Sequence, residues 1–349
     1  MTKRRLAAAA VGVLLSATQT PAADAPVFKL AVSEYPSWSL FLSASDMGLI
    51  DGRPGKMGPI ETKWGVDIEL KDTDYDSCIL LYGNGQVDAA CLTDMDSLAP
   101  SLSVPSVAIL PTSTSDGADQ CIVVDSIKTI DDLAGVSVFG LDNSVSRYCF
   151  DRNIELAGKH PDRFKFVNQD PQAATLALQQ GAADHKAIMV WNPFCMEVKR
   201  QKDGIHTLFS STAIKGEIID MVSMSRKSLE RKGGKDFACA VADTYYAFGR
   251  GLLEPKTRDK YLTELGSRFA KMDLSSMRMI VDETKFYDTP EKGAALFAGD
   301  ELPKVMQRVV SFCVKRGIVK TAPSVAYTDD PKANLCFDAQ YIKAAAARK

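Results

Sequence analysis

DYDSCILLYGNGQVDAACLTDMDSLAPSLSVPSVAILPTS, residues 74–113, decides the fold. Residues 74–86 carry the apolar pattern of an amphipathic helix, with Asp74 or Asp76 placed to cap its start and Gly83 or Gly85 to stop it. VDAACLT (87–93) predicts a short buried strand, TDMDSLAPSL (93–102) a helix, and SVAILPTS (106–113) another strand. Upstream, VFKLAVS (27–33) predicts the first strand, SLFLSASDMGLI (39–50) a helix ending near Gly52 and Pro54, and GVDIELKDT (65–73) a second strand. Strands alternating with helices in this way predict an α/β domain built on a mostly parallel sheet.

A second unit follows. QCIVV (120–124), VSVFGL (136–141), FKFVNQ (164–169) and HKAIMVW (185–191) predict strands. Helical segments separate them: SIKTIDDLAG (126–135), DNSVSRYCFDRNIELAG (142–158) and PQAATLALQQGAA (171–183), with NPFCMEVKRQ (192–201) after the last. HTLFSST (206–212) and EIIDMVSMSR (217–226) carry the chain back, and from Lys227 onward the pattern is almost entirely helical. Two α/β lobes fit this order, the second inserted in the first. Lobe 1 is expected to comprise 26–116 plus 222–349, and lobe 2 to comprise 117–221.

The first 25 residues predict export. Lys3, Arg4 and Arg5 precede the apolar run LAAAAVGVLL (6–15), and Ala-Asp-Ala at 23–25 is a small-residue cleavage site. The apolar run is too short to span a bilayer. No Cys stands at the cleavage site to anchor a lipoprotein. A periplasmic location is expected. The remaining chain of roughly 320 residues exceeds what a single core usually holds. A net charge of −2 gives no reason to expect nucleic acid or an anionic membrane as partner. The eight cysteines are scattered without a CxxC, and the chain has three histidines, so neither a metal site nor a cofactor is expected. Each Cys reads as a small buried hydrophobe, with a Cys313–Cys336 disulfide as the favoured pair because Cys336 lies in a loop-like tail.

SEYPSW (33–38), GNGQVDAACLTDMDSL (83–98), SIKTIDDLAGVSVFG (126–140), DNSVSRY (142–148) and VWNPF (190–194) occur in a familiar order. Over nearly the whole chain beyond the leader, the sequence resembles periplasmic solute-binding proteins of ABC importers, in the nitrate/sulfonate/taurine-binding group. TDMDSL, SVSRY and VWNP further resemble one branch, the binding proteins found beside urea-carboxylase-type systems and associated with guanidine and related nitrogen compounds. The resemblance implies a two-lobed type II fold, a ligand held between the lobes, and an ABC permease as membrane partner. It also implies a monomer that is not an enzyme.

Candidate ligand contacts lie where loops follow parallel strands and helices begin. Trp38 sits in a Pro- and Ser-containing turn, either as a cleft wall or packed in the core. Thr93 and Asp94 open the helix after the third strand, as caps or as contacts to a ligand cation. Asp116 stands at the crossover, where an Asx turn is the plainer reading. Ser144 and Ser146 begin a second-lobe helix and could cap it or bind an anion or carbonyl. Arg147 beside them is the strongest argument for an anion, unless it pairs with Asp142 or a cleft carboxylate. Trp191 ends a strand, and Asp220 lies by the return crossover. Aromatic faces with carboxylates suit a small planar cation such as guanidinium. An aliphatic sulfonate, taurine or nitrate is the alternative. A thiamine-pyrimidine-precursor protein shares the resemblance, but the chain has no Cys cluster, and GxSxG, HExxH and P-loop motifs are absent.

Overall fold

A computed structural model of the chain describes residues 24–348. The expected signal peptide, 1–25, lies outside the described residues but for its last two. Thirteen strands fall into two sheets. The first contains β1 (Val27–Val32), β2 (Asp67–Asp72), β3 (Ala89–Thr93) and β4 (Ser106–Ser115), then β10 (Ile219–Ser225), β11 (Thr284–Phe286), β12 (Val325–Ala326) and β13 (Leu335–Phe337). Its order is β12-β13-β4-β10-β3-β1-β2, with β11 also on β4. The second contains β5 (Asp119–Val124), β6 (Ser137–Gly140), β7 (Lys165–Asn168), β8 (Ala187–Trp191) and β9 (Ile205–Ser210), in the order β7-β6-β8-β5-β9. Every strand of the second sheet thus lies between β4 and β10 in sequence.

In each sheet one central strand runs against its neighbours, and in the first sheet the short strand β11 is reversed as well. β10 is antiparallel to both β3 and β4, whereas β1, β2, β3, β4, β12 and β13 share one direction. β5 is antiparallel to β8 and β9, whereas β6, β7 and β8 run together. The reversed central strands β5 and β10 are the ones the chain enters on crossing between sheets. The crossing out is tight: Gly117 has φ +115, and an added Cβ would crowd Thr212 Oγ1 at 3.3 Å. The chain rejoins the first sheet at Ile219, ahead of the expected return at 222.

The central strands are apolar because helices cover them. Phe28, Leu30 and Val32 of β1 are fully buried. Phe28 stacks on Phe237 at 4.9 Å, from the helix Gly234–Leu253. Each such side chain contributes about 1.5–3 kcal/mol on burial.

Three expectations change. TDMDSLAPSL is a turn followed by a four-residue helix, Leu98–Ser101, because Thr93 and Ser97 side chains take up the local backbone groups. The C-terminal third contains β11, β12 and β13, of two or three residues each, too short for an alternating pattern to show. Cys313 and Cys336 are free and buried, as are the other six cysteines, so the tail is held by β13 pairing with β4 and not by a disulfide. No helix among the described residues is long and apolar enough to cross a membrane.

Candidate functional site

The shared strand direction brings the ends of β1, β2, β3, β6, β7 and β8 to one cleft, and the reversed strands β5 and β10 deliver their first residues to it. A cavity of about 490 Å³ opens there, lined from both sheets. Two registers build its floor. Asp220, starting β10, stands opposite Thr93, ending β3. Asp119, starting β5, stands opposite Trp191, ending β8. Each lobe therefore presents one aspartate beside the end of a parallel strand.

Both aspartates are almost fully buried, at 2% exposure for Asp119 and 1% for Asp220. Burial pushes the Asp119 carboxyl up to about 6, against a hydrogen bond from Ser115. Burial drives Asp220 well above the usual carboxylate range; Ser113, donating at 2.5 Å, opposes this, and the charges of Asp119 and Asp94 add to it.

Five aromatic residues share the wall with them: Tyr35, Trp38, Tyr75, Trp191 and Phe194. Successive ring centroids are 4.8, 5.3, 6.1 and 5.7 Å apart, so the rings form a continuous run across both lobes. Trp38 and Tyr75 are stacked, with 21° between their planes. Tyr75 is held from behind, its hydroxyl donating to Asp96 at 2.7 Å while Asp96 also accepts from Thr93 at 2.9 Å. Burial raises Asp96 to about 6. Trp38 Nε1 and Ser39 Oγ are two buried polar atoms on the wall with no hydrogen-bond partner, while the Tyr35 hydroxyl stands beside Asp220.

The cavity is acidic. Glu34, Asp72, Asp74, Asp76, Asp119, Asp170, Glu197 and Asp220 all line it, and none forms an ion pair among the described residues. Arg268 is the one basic residue on the wall, and its guanidinium is taken by Asp46. None of the three histidines lines the cavity.

Four of the eight residues singled out from sequence lie on this wall: Trp38, Thr93, Trp191 and Asp220. Trp38 is on the first turn of the helix Pro36–Asp46, not in a turn before it. The other four lie elsewhere. Asp94 is fully buried behind the floor, where its Oδ1 accepts from Ile219 N at 3.2 Å and burial pushes its carboxyl up to about 8. Asp116 stays at the crossover and pairs with Lys215 at 3.3 Å. Ser144 caps the helix Val145–Leu156, accepting from Ser146 N at 3.2 Å and donating to Leu141 O at 3.0 Å. Ser146 is buried on the far side of Val145, which does line the cavity. Arg147 turns away, bonding Asp142 at 2.8 Å and Asp151 at 2.7 Å and packing over the Phe166 ring. Sequence reasoning missed Tyr35 and Tyr75, and of the crossover aspartates Asp116 and Asp119 it chose Asp116; alternation along β5 counted back from its apolar core would have chosen Asp119.

No protein-family model and no curated protein sequence matches the chain. Solved structures do. The periplasmic aliphatic sulphonate binding protein of Escherichia coli superposes with a TM-score of 0.66 at 16% identity, over 85% of this chain and 89% of that one. The alkanesulfonate-binding protein of Xanthomonas axonopodis pv. citri, bound to MOPS, gives 0.67 at 13% identity, over 85% and 95%. A Candida albicans gene product described as exhibiting the generic periplasmic binding protein structural fold gives 0.61 at 12%, over 93% and 95%. The chain therefore has the two-sheet α/β fold of periplasmic binding proteins. Identities this low carry the fold and not the ligand.

Proposed function

We propose that this protein is the solute receptor of an ABC importer, working in the periplasm. It captures a small nitrogen-containing organic cation of the guanidine type between its lobes and delivers it to a membrane permease. One observation carries the choice of charge: eight carboxylates line the cleft unpaired among the described residues, beside a run of five aromatic rings. A guanidinium donates in its plane to carboxylates such as Asp119 and Asp220 and offers its faces to Trp38 or Trp191. Each cation–π contact is worth about 0.5–2 kcal/mol, and charge-assisted hydrogen bonds are the stronger kind. A sulfonate or nitrate would enter a field of like charge, with Arg268 already engaged by Asp46 and Arg147 turned away.

An anion reading rests on three observations. The helices Pro36–Asp46 and Phe194–Gln201 begin at the cleft without side-chain caps, the Trp38 Nε1–H has no acceptor, and two of the structural neighbours bind sulfonates. Calorimetric titration of the purified protein with guanidinium, methylguanidinium, taurine and methanesulfonate decides between the two. The cation reading expects heat and saturation with the guanidinium compounds. Saturation with the sulfonates alone overturns it. A thermal shift provides a second readout, because a ligand at 100 times Kd adds about 2.7 kcal/mol of stability.

A further inference from the structure

We propose that the ligand is an extended organic dication, with a guanidinium or ammonium head among the inner aromatic rings and a second cationic group at the acidic mouth. This rests on the cation reading and narrows it.

The carboxylates form two tiers. Asp119 and Asp220 are buried at the floor, whereas Glu34, Asp72, Asp74, Asp76 and Asp170 are exposed at the mouth and Glu197 is half-buried there. Asp74 and Asp170 cap helices by accepting from Ser77 N and Ala173 N, and Glu34 accepts from Ala270 N, so one small monocation at the floor leaves Asp72, Asp76 and Glu197 without a partner among the described residues. A single metal ion does not answer them either, because no three acidic, His or Cys groups among the described residues stand close enough to hold one. The negative charge is spread out, and its complement is a ligand with separated positive ends.

The mouth carboxylates also face each other from opposite lobes. Glu197, on the second-lobe helix Phe194–Gln201, is raised by burial and then by the charge of Glu34, which follows β1 of the first sheet. Asp76, on the helix Tyr75–Gly83, is raised by burial and then by Asp74 and by Asp170 across the cleft. Like charges placed opposite repel unless a cation stands between them.

Size points the same way. Guanidinium has four heavy atoms, roughly 120 Å³ if each takes about the 30 Å³ share of a water molecule. The cavity, at about 490 Å³, leaves room for more than this. The wall also carries Leu42, Leu141 and Val145 beside the aromatic rings, an apolar lining that suits a methylene linker. At the inner end, the unpartnered hydroxyl of Ser39 can accept an N–H.

The test compares two probes sharing head and length: pentylguanidinium, with one charge, and 4-aminobutylguanidinium, with two. In calorimetry at low ionic strength, wild type is expected to bind the dication about tenfold or more tightly than the monocation. Glu197→Gln, which removes a carboxylate with no ion-pair partner among the described residues, is expected to shrink that ratio at least about threefold. A unit ratio in wild type, or a ratio unmoved by Glu197→Gln, overturns the dication while leaving the cation reading in place. Failure of both probes together with saturation by alkanesulfonates overturns both readings. Thermal melts verify that Glu197→Gln is folded, and Asp76→Asn provides a second variant at the other cross-lobe pair.

Discussion

Asp119 is the residue whose chemistry the rest of the cleft is arranged around. It begins a reversed strand, stands opposite Trp191, and holds its proton up to about 6 because burial disfavours the charge. A cation needs it ionised, so affinity for the guanidinium probe should rise as pH is taken from 5 to 7.5, with a proton released on binding. Asp119→Asn should flatten that rise and weaken binding at pH 7.5 by roughly 30-fold or more. The stability sign runs the other way. Unfolded, the carboxyl titrates near 3.9, so the folded ligand-free protein holds more protons between about 4 and 6 and loses stability as pH rises through that window. About two pKa units correspond to about 3 kcal/mol. Ligand-free Asp119→Asn should therefore lack that part of the wild-type decline between pH 4 and 7 in thermal melts. Asp94→Asn is the control: Asp94 accepts from Ile219 N behind the floor, and an Asn in its place keeps an acceptor, so affinity should stay within about twofold.

At the scale of elements, the short apolar strands separated by capped helices were legible because each element carries its own punctuation. Asp74 caps where expected, and Pro36 and Pro171 stand on first turns. The pairing order was not legible. β10 lies between β3 and β4, contacts separated by more than a hundred residues, and no local pattern reports that. The site was half legible for a related reason. Direction alternates along a strand, so Thr93 faces the cleft and Asp94 does not; on the helix start, Val145 faces it and the flanking Ser144 and Ser146 do not. Glu217 shows a third kind of miss. Nothing local in EIIDMVSMSR reports its partners: it accepts from Tyr148 at 2.6 Å and Arg152 at 2.9 Å and lies 3.5 Å from Arg308. It thereby joins the helix Val145–Leu156 to the return crossover and to the helix Glu301–Lys315. Burial pushes its pKa up, but these partners outweigh it and hold the carboxyl below its ordinary value. The stability it contributes is present above the ordinary glutamate pKa and is lost as pH falls through the lower folded value. Glu217→Gln should cost about 1–2 kcal/mol in urea unfolding at pH 7, allowing for screening of the partly exposed arginines, and the difference should shrink below about pH 4.

For the whole molecule, the two sheets are connected where the chain crosses at 116–118 and 211–218. The crossings are tied together: Asp116 pairs with Lys215, and Gly117 N donates to Ser211 Oγ at 2.8 Å. The lobes also meet away from the crossings, where Tyr148 packs edge-on against Phe312 at 5.0 Å and Arg316 pairs with Asp162 at 2.9 Å, whereas the mouth on the cleft side sets Glu34 against Glu197 and Asp76 against Asp170. Electrostatics therefore oppose closing of the unliganded cleft, and a bound cation removes the opposition. Motion about the two crossings is the hinge type of domain closure. Small-angle scattering should show a smaller radius of gyration with saturating 4-aminobutylguanidinium than without ligand. Salt provides an independent handle. At about 0.01 M the screening length is about 30 Å and the mouth carboxylates repel fully, whereas at about 1 M it is about 3 Å. The ligand-free radius should accordingly shrink toward the loaded one as salt is raised, and Glu197→Gln should reduce that response. A radius that neither ligand nor salt moves would mean that the two sheets are a rigid body and that the cleft takes its solute without closing.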